Sequence, residues 1–237
     1  SFYLSNEFSL SDKFKSILGL RAENYNLYYT GQNQQGDIVY DDENILGELD
    51  LFPSINLIYG LKEMSNLRFS LSRTIARPSF KEKSIAQIFD PVTSTTFIGN
   101  IDILPTKILN YDLRWELFQE DAQMYAISLF YKDFTNPIEL VVYNGASPND
   151  YTPKNVDEAI VYGLELELRK NLEFLSENLS NLNLTFNTSI IRSEEIMDEK
   201  EYEGRIKSSR SGEVVSRKRE LQGQSPYLVN LGLNYNS

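Results

Sequence analysis

The sequence of 237 residues contains neither cysteine nor histidine. The lack of cysteine excludes disulfides, thiolate metal sites and cysteine nucleophiles. The lack of histidine removes the usual general base, the commonest zinc and copper ligand, and the Ser-His-Asp triad. The sequence also has no other recognisable nucleophile. We therefore expect no enzymatic activity and no cofactor.

Basic charge and long apolar runs are also scarce. Lys and Arg total 23 against 34 Asp and Glu, which gives a net charge of −11. A nucleic-acid partner is not expected, because phosphate contacts need clustered basic residues. No apolar run approaches the roughly 18 residues that a membrane helix needs. The chain does not open with a basic segment followed by an apolar one, so no signal peptide is expected here.

The candidate strands are joined by connections that alternate between short and long. Apolar/polar alternation predicts nine strands. The tight joints are Ser11–Lys13, Lys62–Ser65, Glu120–Ala122 and a looser Leu172–Ser180. The long, polar joints are Gly31–Glu48, Pro78–Thr106, Thr135–Ala159 and Glu195–Leu221. An up-and-down antiparallel sheet with these joints has tight turns at one rim and long loops at the other, as bacterial outer-membrane barrels do.

The strands have one apolar and one charged face. Leu164, Leu166 and Leu168 share one face of a strand, and Glu165 and Glu167 share the other. A transmembrane barrel alternates in this way, with its polar face towards a wet lumen. A soluble sandwich alternates too, with its polar face towards bulk water, so alternation alone leaves both interpretations open.

The length of the strands and the position of one arginine help to choose between a transmembrane barrel and a soluble sandwich. Asp12–Tyr29 reads as one extended strand, whereas strands of globular proteins usually run about five or six residues. Arg73 falls on the apolar face of its strand, near the long-loop end. An arginine on a lipid face costs about 2–4 kcal/mol at mid-bilayer but only about 0–1 near an interface, so this position is compatible with a membrane strand.

Six segments carry a family resemblance. In chain order they are Arg73-Thr74-Ile75-Ala76-Arg77-Pro78, Gly99-Asn100, Asn110-Tyr111-Asp112-Leu113 with Glu116, Leu129-Phe130-Tyr131-Lys132 with Pro137-Ile138, Tyr162-Gly163-Leu164-Glu165-Leu166-Glu167, and Gly223-Gln224-Ser225-Pro226-Tyr227-Leu228-Val229-Asn230. Together they resemble the barrel of TonB-dependent outer-membrane receptors, particularly the Bacteroidetes-type members. The chain departs from the family pattern where Ile101 follows Asn100 and where Leu104-Pro105 has an altered spacing.

The resemblance implies an all-β fold, an antiparallel up-and-down transmembrane β-barrel of about 22 strands with a plugged lumen. We therefore expect residues 1–237 to be a partial barrel domain, an arc of about nine strands. The plug domain, its Ton box and the remaining strands are absent from this sequence. The implied location is the outer membrane of a Gram-negative bacterium.

The resemblance also implies a mechanism and partners. External loops would bind a ligand, and force transmitted by a TonB-type energy-transducing protein would displace the plug and admit the ligand. The implied partners are outer-membrane lipid, the plug domain, the remaining barrel strands, the TonB-type protein and a surface lipoprotein. The alternatives are a barrel of the same lineage used for surface scaffolding, secretion or adhesion, and a soluble all-β binding domain.

Charged residues on the polar strand faces are the first group of candidate site residues. They are Arg21, Glu23, Asp112, Arg114, Glu116, Glu165, Glu167 and Arg169. Same-face neighbours on a strand lie about 6.5–7 Å apart, and no partner base accompanies these carboxylates. A charged lumen lining that contacts a plug is the favoured interpretation, and a solvated face is the alternative.

Two charged loop segments are the remaining candidates. A basic patch in the last long loop comprises Arg205, Lys207, Arg210, Arg217, Lys218 and Arg219. It could attract an anionic ligand or lipopolysaccharide phosphates, or be merely solvated. An acidic segment contains Asp37, Asp41, Asp42 and Glu43. Calcium binds clustered carboxylates, but the EF-hand spacing is missing, so a solvated loop is favoured there.

Overall fold

In the computed structural model, which describes residues 1–143, 149–197 and 199–235, strands dominate the chain. The strands are β1 (Phe2–Ser11), β2 (Phe14–Gln32), β3 (Val39–Lys62), β4 (Ser65–Ala76), β5 (Gln87–Asp90), β6 (Thr95–Ile98), β7 (Thr106–Phe118), β8 (Met124–Thr135), β9 (Ile138–Val142), β10 (Asp150–Asn155), β11 (Glu158–Asn171), β12 (Leu182–Ile196), β13 (Lys218–Arg219) and β14 (Tyr227–Tyr235). One α-helix, α1 (Glu199–Ser208), and two 3₁₀ turns, Leu172–Phe174 and Glu177–Leu179, complete the described structure.

Nine long strands form one antiparallel sheet, in agreement with the sequence prediction. Their spatial order is β1, β2, β3, β4, β7, β8, β11, β12 and β14. The two-residue strand β13 pairs with β12 beyond the end of β14. Chain order and spatial order agree along the sheet, apart from the short strands inside the loops, so the main topology is up-and-down.

The sheet has one continuous apolar face, which we call the outward face. A row of directly opposed residues crosses six neighbouring strands: Leu57, Phe69, Leu113, Leu129, Leu164 and Ile190. Leu113 is 41% exposed, Leu166 is 37% exposed and Leu231 is 70% exposed. Within the described residues, these side chains are not packed against a second layer of protein, as a sandwich would require.

The two rims of the sheet differ as the sequence predicted. The turn rim carries the short joints after β1, β3, β7 and β11, and the two 3₁₀ turns occupy the last of these. The loop rim carries the long connections between β4 and β7, β8 and β11, and β12 and β14. Arg73 lies three residues from the loop-rim end of β4, as expected from its position in the sequence.

The first predicted loop, Gly31–Glu48, is mostly strand, so that prediction was wrong. β2 and β3 continue as a two-stranded ribbon, and only residues 33–38 form the turn between them. The Asn33 side chain closes the turn by accepting hydrogen bonds from the backbone N–H groups of Asp37 (3.1 Å) and Ile38 (3.2 Å). Both faces of this ribbon carry polar residues, which hides the period-2 signal that predicts strands.

A second sheet covers the loop rim, and the sequence did not predict it. We call it the roof sheet; its order is β5, β6, β10 and β9. β6 comes from the connection between β4 and β7, whereas β10 comes from the connection between β8 and β11, and the two pair in parallel. Its strands are only four to six residues long, and the pairing of β6 with β10 that joins its two hairpins spans more than fifty positions, so the sheet lacks a local signature.

The Gly99-Asn100 motif helps to attach the roof sheet. A Cβ atom on Gly99 would lie 2.3 Å from the carbonyl oxygen of Ser84, so the close approach of the two backbones requires glycine. The Asn100 side chain donates a hydrogen bond to the carbonyl oxygen of Pro153 (3.0 Å), and Asn155 accepts one from the backbone N–H of Leu104 (2.7 Å). These bonds join the two loops that build the roof sheet.

The last long loop is partly ordered. The composition of Gly204–Arg219 is typical of a mobile loop, but this stretch contains half of α1 and all of β13. Two i,i+4 ion pairs, Arg205 with Glu201 and Lys207 with Glu203, follow the helix. In the described part of the chain, no helix has the length and apolar character that a membrane crossing requires.

Candidate functional site

The polar face of the sheet, which we call the lumen face, forms one wall of a large cavity below the loop rim. The cavity has a volume of about 980 Å³. Its lining includes Arg77, Asp112, Arg114, Phe130, Lys132, Phe134, Glu139, Glu165 and residues 221–224. Residues of the strands and of three loop-rim connections therefore line a mixed polar and aromatic space of ligand size.

A chain of ion pairs, which we call the turn-rim network, crosses β4, β7, β8 and β11 near the turn rim. Glu116 accepts hydrogen bonds from Arg68 (2.6 Å) and Arg114 (3.2 Å). Arg114 also reaches Glu167 (2.9 Å), and Glu167 in turn accepts a hydrogen bond from Arg169 (2.9 Å). Each carboxylate is thus shared between two guanidinium groups.

The register of the strands explains why this network forms. Arg68 and Arg114 lie directly opposite each other on β4 and β7, where two like charges would repel. Glu116 is only 5% exposed at its side chain and sits next to both arginines. On the intervening strand β8, the small residue Ser128 accepts a hydrogen bond from Arg114 (3.0 Å) and leaves room for it to reach β11. Because each carboxylate of the network already binds two arginines, the network is positioned to hold the lumen wall rigid.

Arg77 organises a second cluster near the loop rim. Its guanidinium contacts Glu23 (3.0 Å) on β2 and the buried Asp50 (2.9 Å) on β3. It also lies over the ring of Tyr25, 4.6 Å from the centroid, and Arg21 pairs with the same Glu23 (3.4 Å). Arg77 thereby attaches the end of β4 to the ribbon formed by β2 and β3.

Arg219 is the centre of a third cluster, which we call the Arg219 cluster. Its guanidinium contacts Glu139 on β9 (2.5 Å), Glu201 on α1 (3.0 Å) and the fully buried Glu195 near the end of β12. Glu139 also accepts a hydrogen bond from the backbone N–H of Gln222 (3.2 Å). Three elements of the loop rim therefore converge on one buried arginine.

The Arg219 cluster contains three carboxylates around one guanidinium group, and the resulting excess of negative charge affects the pKa of Glu195. Glu195 lies at the loop-rim end of its strand. It is the fourteenth residue of β12, counted from the turn rim, whereas a tilted strand crosses a bilayer with about 9–11 residues. Burial and the adjacent Glu139 carboxylate raise the pKa of Glu195 to about 8. Burial opposes ionisation of Glu139 too, but Arg219 outweighs it and holds the pKa of Glu139 below its ordinary value.

Comparison with known protein families gives a match over the whole chain. The family model described as "TonB dependent receptor-like, beta-barrel" matches residues 1–237. The chain belongs to the TonB-dependent receptor family. The family prediction made from the six motifs is thereby confirmed, and the Bacteroidetes subtype stays a prediction. No protein in the curated set matches the sequence.

Solved structures of TonB-dependent receptors share the fold. The siderophore receptor PirA from Pseudomonas aeruginosa superimposes with a TM-score of 0.57 at 19% identity, covering 81% of this chain and 31% of that receptor. A mutant of the ferric enterobactin receptor PfeA from the same organism, in complex with enterobactin, gives 0.59 at 19% identity, with 98% and 30% covered. The Serratia marcescens hemophore receptor HasR, in complex with hemophore HasA and heme, gives 0.61 at 13% identity, with 81% and 34% covered.

The chain therefore spans about a third of the length of each of these receptors. A nine-stranded antiparallel arc is about two fifths of a barrel of about 22 strands, so both measures make this chain a part of such a receptor. The sequence prediction of an all-β, partial barrel fold is confirmed.

All eight predicted lumen residues lie on the polar face of this TonB-dependent receptor arc, but in different settings. Arg114, Glu116, Glu167 and Arg169 belong to the turn-rim network, and Arg21 and Glu23 belong to the Arg77 cluster. Asp112 and Glu165 line the cavity. Contact of any of them with a plug stays a prediction.

The predicted basic patch is paired with carboxylates over most of its length. Arg205, Lys207, Arg217 and Lys218 contact Glu201, Glu203, Glu199 and Glu194 respectively. Arg219 is buried among three carboxylates, and Arg210 donates its backbone N–H to Glu213 (3.1 Å). These pairs lower the positive charge that the loop presents. Ligand contact by the patch stays a prediction.

The sequence interpretation missed several site residues, among them Asp50, Arg68, Arg77 and Glu139. Arg77 and Asp50 are 27 positions apart, and Glu139 and Arg219 are 80 apart, so only the fold brings them together. Arg68 could have been found, because it shares the polar face of β4 with three serine or threonine residues. In the acidic segment, and elsewhere in the described residues, no three acidic side chains are arranged to hold a metal ion.

Proposed function

We propose that this chain is part of a TonB-dependent outer-membrane receptor that binds a ligand at its loop rim and imports it through the lumen. The observation that carries the proposal is the contrast between the two faces of the sheet. The outward face exposes a continuous apolar row, and the lumen face carries linked ion pairs beside a cavity. Lipid on one side and a filled aqueous pore on the other account for this contrast.

The cavity and the loop rim are the proposed ligand path. Asp112, Lys132 and Glu165 line the cavity, where their charges are available to a ligand or a plug segment. The turn-rim network maintains the wall, and the basic patch of the last loop provides contacts to the ligand at the entrance. The compared receptors include ones for siderophores and for a hemophore carrying heme, and we propose a cargo of this small-molecule class.

We also propose the other components with which this part of the receptor works. Further strands close the barrel, since an open sheet edge in lipid would leave backbone groups without hydrogen bonds, and a plug domain fills the lumen. A TonB-type protein supplies energy from the inner membrane, and a surface lipoprotein assists capture. The location is the outer membrane of a Gram-negative bacterium.

The test uses the full-length protein in living cells. Cells expressing it are expected to bind and accumulate a ferric siderophore or heme under iron limitation. After collapse of the proton-motive force, binding should persist and accumulation should stop. Binding without energy-dependent accumulation would contradict import and favour a surface scaffold.

A variant links this result to the cavity. Lys132→Ala changes a cavity-lining side chain, whereas Lys13→Ala changes an exposed residue in a turn-rim joint. We expect the first to weaken ligand binding or uptake and the second to leave both unchanged. Equal behaviour of the two variants would remove the cavity from the proposed path.

A further inference from the structure

The Arg219 cluster joins the two sheets of the molecule. Glu139 lies on β9 in the roof sheet, whereas Glu195 and Arg219 lie on β12 and β13 of the main sheet. Arg219 contacts both carboxylates, and the side chains of Arg219 and Glu139 are only 9% and 5% exposed. The guanidinium group is therefore a buried bridge from one sheet to the other.

A backbone hydrogen bond follows the same route as this bridge. The backbone N–H of Gln222 donates to the Glu139 carboxylate (3.2 Å), and the backbone N–H of Leu221 donates to the Ser193 hydroxyl on β12 (3.1 Å). The segment 221–222 is thus held by β12 on one side and by the roof sheet on the other. Because Glu139 binds both Arg219 and Gln222, the loss of its side chain would break both links.

These links lie at the loop-rim end of the cavity. The cavity lining includes residues 137–140, which contain the start of β9, and residues 221–224. The two segments belong to different loop-rim connections, and Glu139 holds them together. Their separation would open the cavity wall at the rim through which the ligand enters in the proposed function.

Separation of the two segments would leave the buried guanidinium group paired. When Glu139 moves away, Arg219 keeps Glu195 and also Glu201 (3.0 Å), neither of which belongs to the roof sheet. Burial and the Glu139 carboxylate together raise the pKa of Glu195, so the crowding of negative charge works against the closed contact. The contact is therefore suited to reversible opening.

We propose that the contact between Arg219 and Glu139 is a latch, which holds the roof sheet against the last long loop and restricts access to the cavity from the loop rim. Arg219 is the fixed half of the latch, because it pairs with Glu195 on β12 through the backbone. Glu139 is the half that moves with the roof sheet. The inference rests on the proposed function in taking the loop rim as the entrance.

The experiment measures how fast a small reagent reaches the cavity. Lys132→Cys places a thiol in the cavity wall of the full-length protein, from which any other cysteine has been removed, in lipid nanodiscs. The reagent is the anionic thiosulfonate MTSES, and mass spectrometry of the intact protein gives the rate constant of its reaction. Val214→Cys, at a position that is 94% exposed, gives the rate for an open site.

Two carboxylates of the cluster provide matched variants. Glu139→Ala removes the partner on the roof sheet, whereas Glu201→Ala removes a carboxylate that contacts the same guanidinium group from α1. Loss of a charged hydrogen bond should raise the rate at position 132 at least about tenfold in Glu139→Ala. Glu201→Ala, and Gln87→Ala at an exposed position of the roof sheet, should leave that rate nearly unchanged.

Three results would overturn the latch. The first is a rate at position 132 as high as that at position 214 before the latch is changed, since the cavity would then be open. The second is an unchanged rate in Glu139→Ala, and the third is an equal rise in Glu139→Ala and Glu201→Ala, which would indicate general loosening of the loop.

A milder variant covers the case in which Glu139→Ala does not fold. Glu139→Gln keeps the shape of the side chain but loses its charge, so the rate at position 132 should still rise, and an unchanged rate would contradict the latch. The measurement includes no ligand and no energy source. A failure of import in cells would therefore leave its result as it is, and a failure of the latch would leave the import proposal standing.

Discussion

Arg114 Nη2 donates a hydrogen bond of 2.9 Å to Glu167 Oε2 across the whole width of strand β8. The two residues come from β7 and β11, which do not pair with each other. The bond therefore ties β7 to β11 across β8, in addition to the backbone hydrogen bonds between neighbouring strands. Because Arg114 also contacts Glu116 and Ser128, it is the central residue of the turn-rim network.

Arg114→Met should destabilise the folded receptor by about 1–3 kcal/mol, because partly buried carboxylates lose a charged hydrogen-bond donor. Arg169→Gln is the matched control, since Arg169 is more exposed and contacts only Glu167 in the network. Its cost should stay below about 1 kcal/mol. Urea unfolding of the full-length protein in lipid vesicles measures both. Equal costs would show that Arg114 is not central.

The Arg219 cluster should loosen as the pH rises. The folded-state pKa of Glu195 is raised from 4.5 to about 8. Protonated Glu195 therefore stabilises the closed cluster fully below pH 4.5, and this stabilisation is lost as the pH rises through about 8. Glu139 has a lowered pKa and acts in the opposite direction only at more acidic pH. Amide hydrogen exchange of α1 and β13, corrected for the intrinsic pH dependence, should show less protection at pH 9 than at pH 6.

Glu195→Gln is the variant that checks the assignment of this effect. The amide has nearly the shape of the protonated acid but cannot ionise, so protection of α1 and β13 should become nearly independent of pH between 6 and about 9. Glu213→Gln, at an exposed position of the same loop, should leave the pH dependence unchanged. A pH dependence that survives in Glu195→Gln would assign the titration to another group.

Gly163→Ala should destabilise the arc by about 1–3 kcal/mol through overpacking. A Cβ atom there would lie 2.4 Å from the carbonyl oxygen of Ile190 and 2.6 Å from the Phe130 ring. Gly204→Ala is the control, because a Cβ atom at that position of α1 meets no atom within 4 Å. Alanine in a helix should stabilise it by about 0.5–1 kcal/mol. Thermal unfolding in detergent should therefore shift in opposite directions for the two variants.

Leu166→Arg should cost about 2–4 kcal/mol in a lipid bilayer, because it places a charge near the middle of the outward face. Arg73→Leu should change stability by no more than about 1 kcal/mol, since Arg73 lies close to the loop rim. Folding into vesicles, followed by urea titration, measures both. If Leu166→Arg were as mild as a surface substitution in water, the outward face would not be in contact with lipid.

The sequence predicted the parts of the fold that repeat locally. Alternation around Leu113 and Leu166 indicated the strand faces, and both residues lie on the exposed apolar face. The tight joints and the nine-stranded order were predicted for the same reason. Gly163, which belongs to one of the six family motifs, lies where a Cβ atom would meet Ile190 and Phe130.

The features that the sequence did not predict depend mostly on contacts between residues far apart in the sequence. β6 and β10 are short and pair in parallel across more than fifty positions, so no window of sequence contains their signal. The sequence indicated that Arg219 is one member of a basic patch that either attracts a ligand or is solvated, because Glu139 and Glu195 come near it only in the fold. The acidic residues of the β3 ribbon suppressed the strand signal, since neither face of that ribbon is apolar.

The parallel pairing of β6 with β10 links two separate connections into a single flap over the cavity. The pairing joins Asp150 and Tyr151 to Thr96 and Phe97, so a displacement of one connection is expected to carry the other with it. Under the proposed function, these two loops are therefore expected to move together, and a crosslink between Phe97 and Tyr151, whose rings lie 5.9 Å apart, is expected to leave that movement intact.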